Sequence, residues 1–215
     1  MTIMPTRKNP ATLEGNRVHL RPPRRSDAHG FIAQAARSRA LHHRWVQPPD
    51  TPEAFAAYVQ RYRRLDTGAR HAGFVILRND DNALAGVVNF SEIVRGAFQS
   101  AYVGYYAFAP LVGHGYMSEA FALALDFAFG ALELHRVEAN VQPENSRSLA
   151  LVERIGFVRE GYSRRYVKIA GRWRDHVRFA MLAEDWQAQK RVVRRDARAP
   201  AAGSVARLRK PGSAP

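Results

Sequence analysis

A glycine-rich segment, residues 112–118, combines residue types that could bind an anion. Gly113 and Gly115 allow the chain to turn sharply and to bring its backbone close to a ligand. A helix following the segment would present free N–H groups and the positive end of its dipole, so a diphosphate is the natural ligand. The lysine of a P-loop and the third glycine of a dinucleotide fingerprint are both missing, which excludes those two sites. Taken alone, the segment is more typical of a simple strand–helix connection.

A second candidate is the start of a predicted helix at residues 145–148. Apolar residues follow Ser148 at +3, +4 and +7, so Ser148 lies on the inward-facing stripe, one turn from the helix start. A hydroxyl there could contact a ligand or donate a proton. The simpler interpretation of the spacing is that Asn145 or Ser146 caps the helix and that the Ser148 hydroxyl is satisfied locally.

A third group of polar and aromatic residues falls on two predicted strands near the C-terminus. These residues could line a substrate entrance, although pairs on the surface of a sheet are the simpler interpretation. They are Glu160, Tyr162, Tyr166, Asp175 and His176.

Alternating patterns and turn residues predict the elements that must position these groups. Strands are expected at residues 17–21, 71–77, 85–93, 102–108, 137–141, 157–166 and 174–182, and helices near 26–36, 52–65, 116–132 and 146–156. Strands that alternate with helices indicate a single α/β (α+β) domain. We expect a mixed, mostly antiparallel sheet of about seven strands flanked by about four helices.

Composition limits the remaining possibilities. The chain has 215 residues, 46% of them hydrophobic, which is enough for a packed core. It has no cysteine, which excludes a disulfide framework, a thiolate metal site and a cysteine nucleophile. Residues 120–132 form the longest mostly apolar stretch and are too short to span a bilayer. No secretory signal is recognisable in residues 1–17, so a cytoplasmic protein is expected.

The formal net charge of +14 is concentrated at one end of the chain. Residues 187–215 are rich in arginine, alanine, proline and glycine and almost free of large apolar side chains. Such a composition predicts a disordered basic tail, helical at most to about Arg195. It could contact phosphate backbones such as those of RNA, or simply be a solvated tail. Residues 1–12 are expected to be a flexible leader.

The three candidate groups occur in one order along the chain, and the ordered set resembles the GNAT N-acetyltransferase superfamily. Within it, the chain is most similar to the RimJ/RimL-type ribosomal-protein-alanine acetyltransferases. The resemblance covers residues 13–186 as one GNAT domain and leaves residues 187–215 outside. The segments that carry it are residues 16–21, 91–96, 103–105, 112–120, 135–139, 144–148, 154–161 and 171–176.

The resemblance implies acetyl-CoA as co-substrate and no metal. It assigns the pyrophosphate to Gly113, His114, Gly115, Tyr116, Met117 and Ser118, and the pantetheine and thioester to the strand edge formed by Tyr105, Tyr106 and Ala107. Asn145 corresponds to an asparagine beside the cofactor arm. The phosphate-binding pattern of the family has a polar first residue and a small last one. This chain departs from it at both ends, with Val112 and Met117.

The resemblance also implies direct attack of an amine on the thioester, without a covalent enzyme intermediate. Ser148 is the candidate proton donor, because the tyrosine that some relatives carry seven residues after the asparagine is replaced here by Val152. Glu92 and Glu160 are candidate bases, because the position of a catalytic glutamate in some relatives holds Asn140. An α-amine with a pKa near 8 needs only a weak base or a water relay.

The expected acceptor is the N-terminal α-amine of an alanine-starting ribosomal protein. Two alternatives remain open at this point. One is a GNAT enzyme for a small-molecule amine, such as an antibiotic or a metabolite. The other is an RNA-associated protein whose acetyl-CoA pocket is vestigial.

Overall fold

The computed structural model describes residues 12–198, with only the backbone described for residues 191–198. Its strands are β1 (Leu13–Glu14), β2 (Val18–Arg21), β3 (Ala72–Arg78), β4 (Leu84–Val94), β5 (Ser100–Ala107), β6 (Arg136–Val141), β7 (Val158–Ile169) and β8 (Arg172–Leu182). Its helices are α1 (Ala28–Arg37), α2 (Arg39–His42), α3 (Pro52–Tyr62), α4 (Tyr116–Gly130), α5 (Ser146–Ile155) and α6 (Ala183–Arg198), with a 3₁₀ turn at Arg25–Asp27.

The eight strands form one sheet in the order β1-β2-β3-β4-β5-β6-β8-β7. Neighbouring strands are antiparallel except for β5 and β6, which run parallel. The β5–β6 pairing covers residues 100–102 of β5 and 136–138 of β6 and then stops. Beyond Tyr102, β5 continues beside β4 while β6 continues beside β8, so the sheet forks between β5 and β6.

Helices cover both faces of the sheet. On one face, α1 and α3 bury Phe31 and Phe55 against Val75, Val87 and Phe108 in a single apolar cluster. On the other face, α4 packs against β2 and β4, and α5 packs against β6. Aromatic contacts lock this second layer in place, with Phe127 of α4 lying edge-on to Phe74 of β3 at a ring separation of 5.0 Å.

The sequence predicted the fold class correctly, and the differences lie in short elements. The two-residue strand β1 and the four-residue helix α2 were missed, because patterns of alternating or helical period need longer segments to be recognised. Residues 187–198 of the predicted tail belong to α6, whereas residues 1–11 and 199–215 lie outside the described residues. Within residues 12–198, no helix combines the length and apolarity needed to cross a membrane.

The chain divides into two compact units between Ala183 and Glu184. The first unit contains the sheet and helices α1–α5, and therefore every candidate site residue. The second unit contains α6 from Glu184 onwards.

Candidate active site

The fork exposes one edge of β5. Phe108 donates its N–H to the carbonyl of Ala85, so Ala107, its neighbour, turns both of its backbone polar groups away from β4. By the same alternation, the backbone groups of Tyr105 and Val103 also face the fork. The backbone groups of Tyr105 and the N–H of Ala107 can bind an extended ligand that lies along β5, as a further strand would, whereas the Ala107 carbonyl accepts a hydrogen bond from His42. The edge therefore suits a pantetheine arm, whose amides supply the matching donors and acceptors.

Buried polar side chains tie the α1–α2 region to both arms of the fork. The Nε2–H of His42 donates to the Ala107 carbonyl at 2.7 Å, and the Ser38 hydroxyl accepts the Ala109 N–H at 2.9 Å. From the β6 arm, Gln142 donates from Nε2 to the carbonyl of Arg44 at 3.2 Å. Ser38, His42 and Gln142 are all buried, with exposures of 1%, 3% and 6%. Buried polar groups are costly unless bonded, so these contacts fix the width of the fork.

The histidine of this region, His42, favours its neutral form in the folded chain. Burial lowers the pKa of His42, and the hydrogen bond to Ala107 opposes that shift only in part. Because a carbonyl oxygen can only accept, Nε2 carries the proton. The other ring nitrogen, Nδ1, is buried and has no partner among residues 12–198. Sequence patterns did not identify His42, because its partner is a backbone carbonyl that leaves no motif.

The glycine-rich turn has the conformation that an anion site requires. Gly113 and Gly115 have φ values of +88° and +82°, in the left-handed region that favours glycine. Gly115 is the N-cap residue of α4, and within the described residues no side chain caps this helix. The Ser118 N–H donates to the Gly115 carbonyl at 3.1 Å. The N–H groups of Tyr116 and Met117 are therefore the ones that can bind phosphate oxygens, and the helix dipole favours the negative charge of the phosphate.

Arg17, at the entry to β2, braces this turn and was missed by sequence reasoning. Its Nη1 donates to the His114 carbonyl at 3.0 Å, and its Nε forms an ion pair with Glu119 at 3.1 Å. Its guanidinium also lies over the ring of Tyr116, 5.3 Å from the centroid. The arginine thus joins the glycine turn to the first turn of α4, and its charge is balanced by that of Glu119. Arg17 and His114 are 97 residues apart in sequence, so no local pattern predicts their contact.

Met117, one of the two departures from the family pattern, is accommodated by a glycine on β4. The Met117 sulfur lies 2.9 Å from the position that a Cβ on Gly86 would occupy. The side chain therefore packs onto the sheet and not over the helix start. His114 and Tyr116 stack at 5.9 Å with an interplanar angle of 14°. The long residue at position 117 is thus compatible with phosphate binding by the backbone of the turn.

Helix α5 begins on the opposite side of the fork with a side-chain cap. Asn145 is its N-cap residue, and its Oδ1 accepts the Ser148 N–H at 3.2 Å. The Ser148 hydroxyl lies 2.6 Å from the hydroxyl of Tyr105 on β5. Burial raises the pKa of Tyr105, so its phenol stays protonated at neutral pH. The tyrosine and the serine link the β5 arm of the fork to α5.

Tyr106, another residue of the predicted strand edge, does not face the fork. Its ring lies edge-on to His42 at 5.1 Å and to Phe108 at 5.5 Å, in the layer formed by α1 and α3. In the register of the sheet it is opposite Val87, and its backbone groups are directed towards β4. Of the predicted edge residues, Tyr105 and Ala107 contribute their backbone to the fork.

The two candidate bases lie in different places. Glu160 is held by Arg136, whose Nη1 donates to Oε1 at 2.9 Å and whose Nη2 bonds the other oxygen. This guanidinium lowers the pKa of Glu160, which makes the carboxylate a weak base. Arg136 also bonds Glu138 on β6 at 2.9 Å, so Glu160 is anchored towards the β6 arm. Its contacts suit an electrostatic role better than proton abstraction.

Glu92 lies at the end of the fork where β5 and β6 are still paired. Ser91, its neighbour, pairs with Tyr102, whereas Val88 pairs with Tyr105. Four residues of β4 separate Glu92 from the level of Tyr105, which corresponds to roughly 13 Å. Glu92 is exposed and forms an ion pair with Arg70 at 3.3 Å. The structure therefore does not bring Glu92 together with Ser148.

Asn140 of β6, where some relatives carry a glutamate, offers an acceptor and not a base. It pairs with Arg178 of β8 in the register of the sheet. Its Oδ1 is buried and has no partner among the described residues. An unpaired buried oxygen is costly, so this atom suits an N–H donor from a ligand.

Comparison with known proteins finds that acetyltransferases are similar to this chain. The family model described as an acetyltransferase (GNAT) domain matches residues 17–158. The chain is 34% identical over 177 residues to the probable N-acetyltransferase YjcK of Bacillus subtilis, covering 80% of this chain and 98% of that protein.

A second relative carries a ribosomal substrate in its name. The [ribosomal protein uS5]-alanine N-acetyltransferase of Escherichia coli is 41% identical over 113 residues, which span 53% of this chain and 58% of that enzyme. Among solved structures, Mycobacterium smegmatis RimJ in complex with CoA-disulfide superposes with a TM-score of 0.77 at 30% identity. That superposition covers 87% of this chain and 95% of that one.

Proposed function

Given that this chain belongs to the GNAT family of N-acetyltransferases, we propose that its acceptor is the N-terminal α-amine of an alanine-starting ribosomal protein. The acetyl donor in this proposal is acetyl-CoA. The observation that carries the donor site is the open edge of β5, which ends at a glycine turn and an uncapped helix start. The similarity to the uS5 enzyme supports the acceptor class.

In the proposed binding mode, the residues present fit coenzyme A along its length. The diphosphate lies on the backbone of Gly113–Ser118, a turn that Arg17 holds in place through the His114 carbonyl. The pantetheine amides pair with the edge formed by Tyr105 and Ala107. Asn145 holds the start of α5 in place and does not need to contact the ligand itself.

Acetyl-CoA supplies an activated thioester, so the protein has only modest chemistry to perform. A fork-facing N–H of β5 stabilises negative charge on the thioester oxygen. The nitrogen lone pair of the acceptor forms the new C–N bond as the C–S bond breaks and its electron pair passes to sulfur. The Ser148 hydroxyl donates a hydrogen bond to that sulfur. The proton lost by the amine and the one gained by the thiolate exchange with solvent, so protons balance.

An α-amine fits the polar groups on the acceptor side. Its reference pKa lies near 8, against about 10.4 for lysine, so a useful fraction is neutral without a strong base. This agrees with a site in which Glu160 is weakened as a base by Arg136. The buried Oδ1 of Asn140 can accept an N–H from the amine. Water is therefore the proposed proton acceptor, and Glu160 is not needed as a base.

Acetylation of defined peptides tests the proposal. Peptides that begin with alanine, serine or methionine are incubated with the full chain and acetyl-CoA, beside a panel of small amines. We expect intact mass to show one added acetyl group on the alanine peptide, and none on a control peptide with a blocked α-amine and a free lysine. Acetylation of a small amine but of no peptide would overturn the proposed acceptor.

A further inference from the structure

Tyr105 and Ser148 form a direct side-chain contact between β5 and α5. Their oxygens are 2.6 Å apart, a normal distance for an O–H···O bond. The Tyr105 ring packs edge-on against Phe121 at 4.8 Å, and Phe121 packs in turn on Phe157 at 5.6 Å. This aromatic packing restrains the phenol, so the hydroxyl of Ser148 has a fixed neighbour.

The direction of this hydrogen bond decides what Ser148 can do. A serine hydroxyl has one proton and can accept as well as donate. If Tyr105 donates to Ser148 Oγ, the serine proton remains available for a second acceptor. If Ser148 donates to Tyr105 instead, that proton is already used.

Two observations favour donation by the tyrosine. A phenol is more acidic than an alcohol and is therefore the better donor in a mixed pair. The alternative arrangement would direct the phenol proton to the Ser148 carbonyl, which lies 3.4 Å away, long for an O–H···O bond. The 2.6 Å contact is then a hydrogen bond donated by Tyr105 to Ser148 Oγ. Because linked hydrogen bonds polarise one another, it strengthens the hydrogen bond that the Ser148 hydroxyl donates to its own acceptor.

We propose that Tyr105 is a positioning residue, which orients the Ser148 hydroxyl so that its proton points at the sulfur that leaves during acetyl transfer. The inference rests on the proposed function, because only that reaction generates a thiolate at this place. Ser148 is then held at two points. Asn145 fixes its backbone N–H, and Tyr105 fixes its side chain. Charge on the sulfur develops as the C–S bond breaks, so this bond strengthens mainly in the transition state.

A purely structural role for Tyr105 gives a different expectation. Loss of a tie between β5 and α5 would lower stability, or weaken acetyl-CoA binding, whether or not Ser148 retained its hydroxyl. A positioning role is visible only while that hydroxyl is present. A double-mutant cycle therefore separates the two roles.

The experiment uses the full chain with Tyr105→Phe, Ser148→Ala and the double variant, and measures thiol release with acetyl-CoA and an alanine peptide. Tyr105→Phe should lower kcat about ten-fold, a fraction of what a donor contributes, with KM for acetyl-CoA changed less than two-fold. In the Ser148→Ala background, Tyr105→Phe should have no further effect on kcat. Tyr62→Phe, which also removes a partly buried phenol hydroxyl, serves as the matched control and should keep wild-type kcat.

Two outcomes would overturn the role of Tyr105. One is an unchanged kcat in Tyr105→Phe, and the other is an equal loss of kcat in both backgrounds. Either result, obtained with a wild-type chain that acetylates the peptide, leaves the proposed function standing. A wild-type chain that releases no thiol with any amine would remove the proposed function, and the role of Tyr105 with it.

Discussion

Two helices, α4 and α5, begin beside the fork, and their first backbone N–H groups are treated in opposite ways. Helix α4 starts at Gly115 in the left-handed region, and no described side chain caps it. Helix α5 starts at Asn145, whose side chain accepts the N–H of Ser148. The first start leaves amides for a ligand, whereas the second satisfies an amide internally and presents a hydroxyl.

The starts of α4 and α5 suit two different tasks, ligand binding and the positioning of a side chain. An uncapped start suits a diphosphate, whose charge matches the helix dipole and whose oxygens accept several N–H groups at once. A capped start suits a group that must be held rigidly, because the cap fixes the first turn on which Ser148 lies. Substitutions at the two starts should therefore act on different steps, binding at α4 and turnover at α5.

Ser148→Ala gives the largest expected effect and tests the α5 side of the comparison. Removing a donor to the leaving sulfur should lower kcat by about 100-fold, the lower end of what positioned acids contribute. KM for acetyl-CoA should change little, since the bond strengthens as charge develops. Steady-state kinetics measure both constants, with Ser146→Ala as an exposed control in the same turn. Wild-type kcat in Ser148→Ala would break the assignment.

Gly115→Ala tests the α4 side. A non-glycine residue at φ +82° is strained, and its Cβ would lie 3.1 Å from Nη2 of Arg17. A left-handed alanine costs about 1–2 kcal/mol, so the free turn should relax out of this conformation, and coenzyme binding must restore it at a loss of roughly ten-fold in affinity. We expect calorimetry to show coenzyme A binding weakened by that factor, with kcat nearly unchanged. Gly130→Ala, where the added Cβ meets nothing within 4 Å, is the matched control. Equal affinity in both variants would contradict the site.

Asn145→Ala addresses the cap itself. Loss of the bond to the Ser148 N–H should lower the free energy of unfolding by about 1 kcal/mol, the usual contribution of an N-cap. Asn145→Asp retains an acceptor at the helix start and should stay close to wild type. Urea denaturation measures both variants. If Asn145→Ala kept full stability but lost coenzyme affinity, Asn145 would be a ligand contact and not a cap.

The smallest expected effect is on the pH dependence of stability and concerns His42. This residue fixes the edge of β5, beside which both helices begin. Burial lowers its pKa below the value of about 6.5 in the unfolded chain, so the unfolded state binds the proton more readily. The stability from neutral His42 is complete above that pH and is lost as pH falls through it. His42→Gln keeps an N–H donor for Ala107 and cannot titrate.

Melting temperatures at about pH 7.5 and about pH 5 measure this effect of His42. The wild-type chain should lose more stability on acidification than His42→Gln. His176, whose pKa is also lowered by burial, is present in both proteins and cancels in the difference. Parallel pH curves for the two proteins would show that His42 does not titrate as expected.

The sequence predicted the fold class and the turn because both depend on local patterns. Alternation of apolar residues identifies the long strands, and Gly113 and Gly115 mark the strand–helix junction whatever the rest of the chain does. The spacing left Asn145 or Ser146 as the cap of α5, and the structure shows that it is Asn145, whereas a place for Asn145 beside the cofactor stays a prediction.

The contacts made across the fork were not predictable in the same way. Arg17 meets the glycine turn from a strand almost 100 positions earlier, with separations of 97 and 102 residues to its partners. Glu92 and Glu160 could not be ranked as bases, because the arginines that pair with them, Arg70 and Arg136, lie on other segments and become neighbours only in the folded chain. Long-range pairing sets these charges, and a single sequence does not record it.

The packing of Met117 onto Gly86 makes the two positions unequal in the substitutions they tolerate. A Cβ on Gly86 would lie 2.9 Å from the Met117 sulfur, near the end of a flexible side chain, but 2.5 Å from the backbone oxygen of Tyr106. The sulfur can move aside, whereas the oxygen is fixed by the pairing of β4 with β5. Position 86 therefore requires glycine whatever residue stands at position 117. Among relatives with this sheet geometry, the alignment column of position 86 should remain glycine while that of position 117 varies in size.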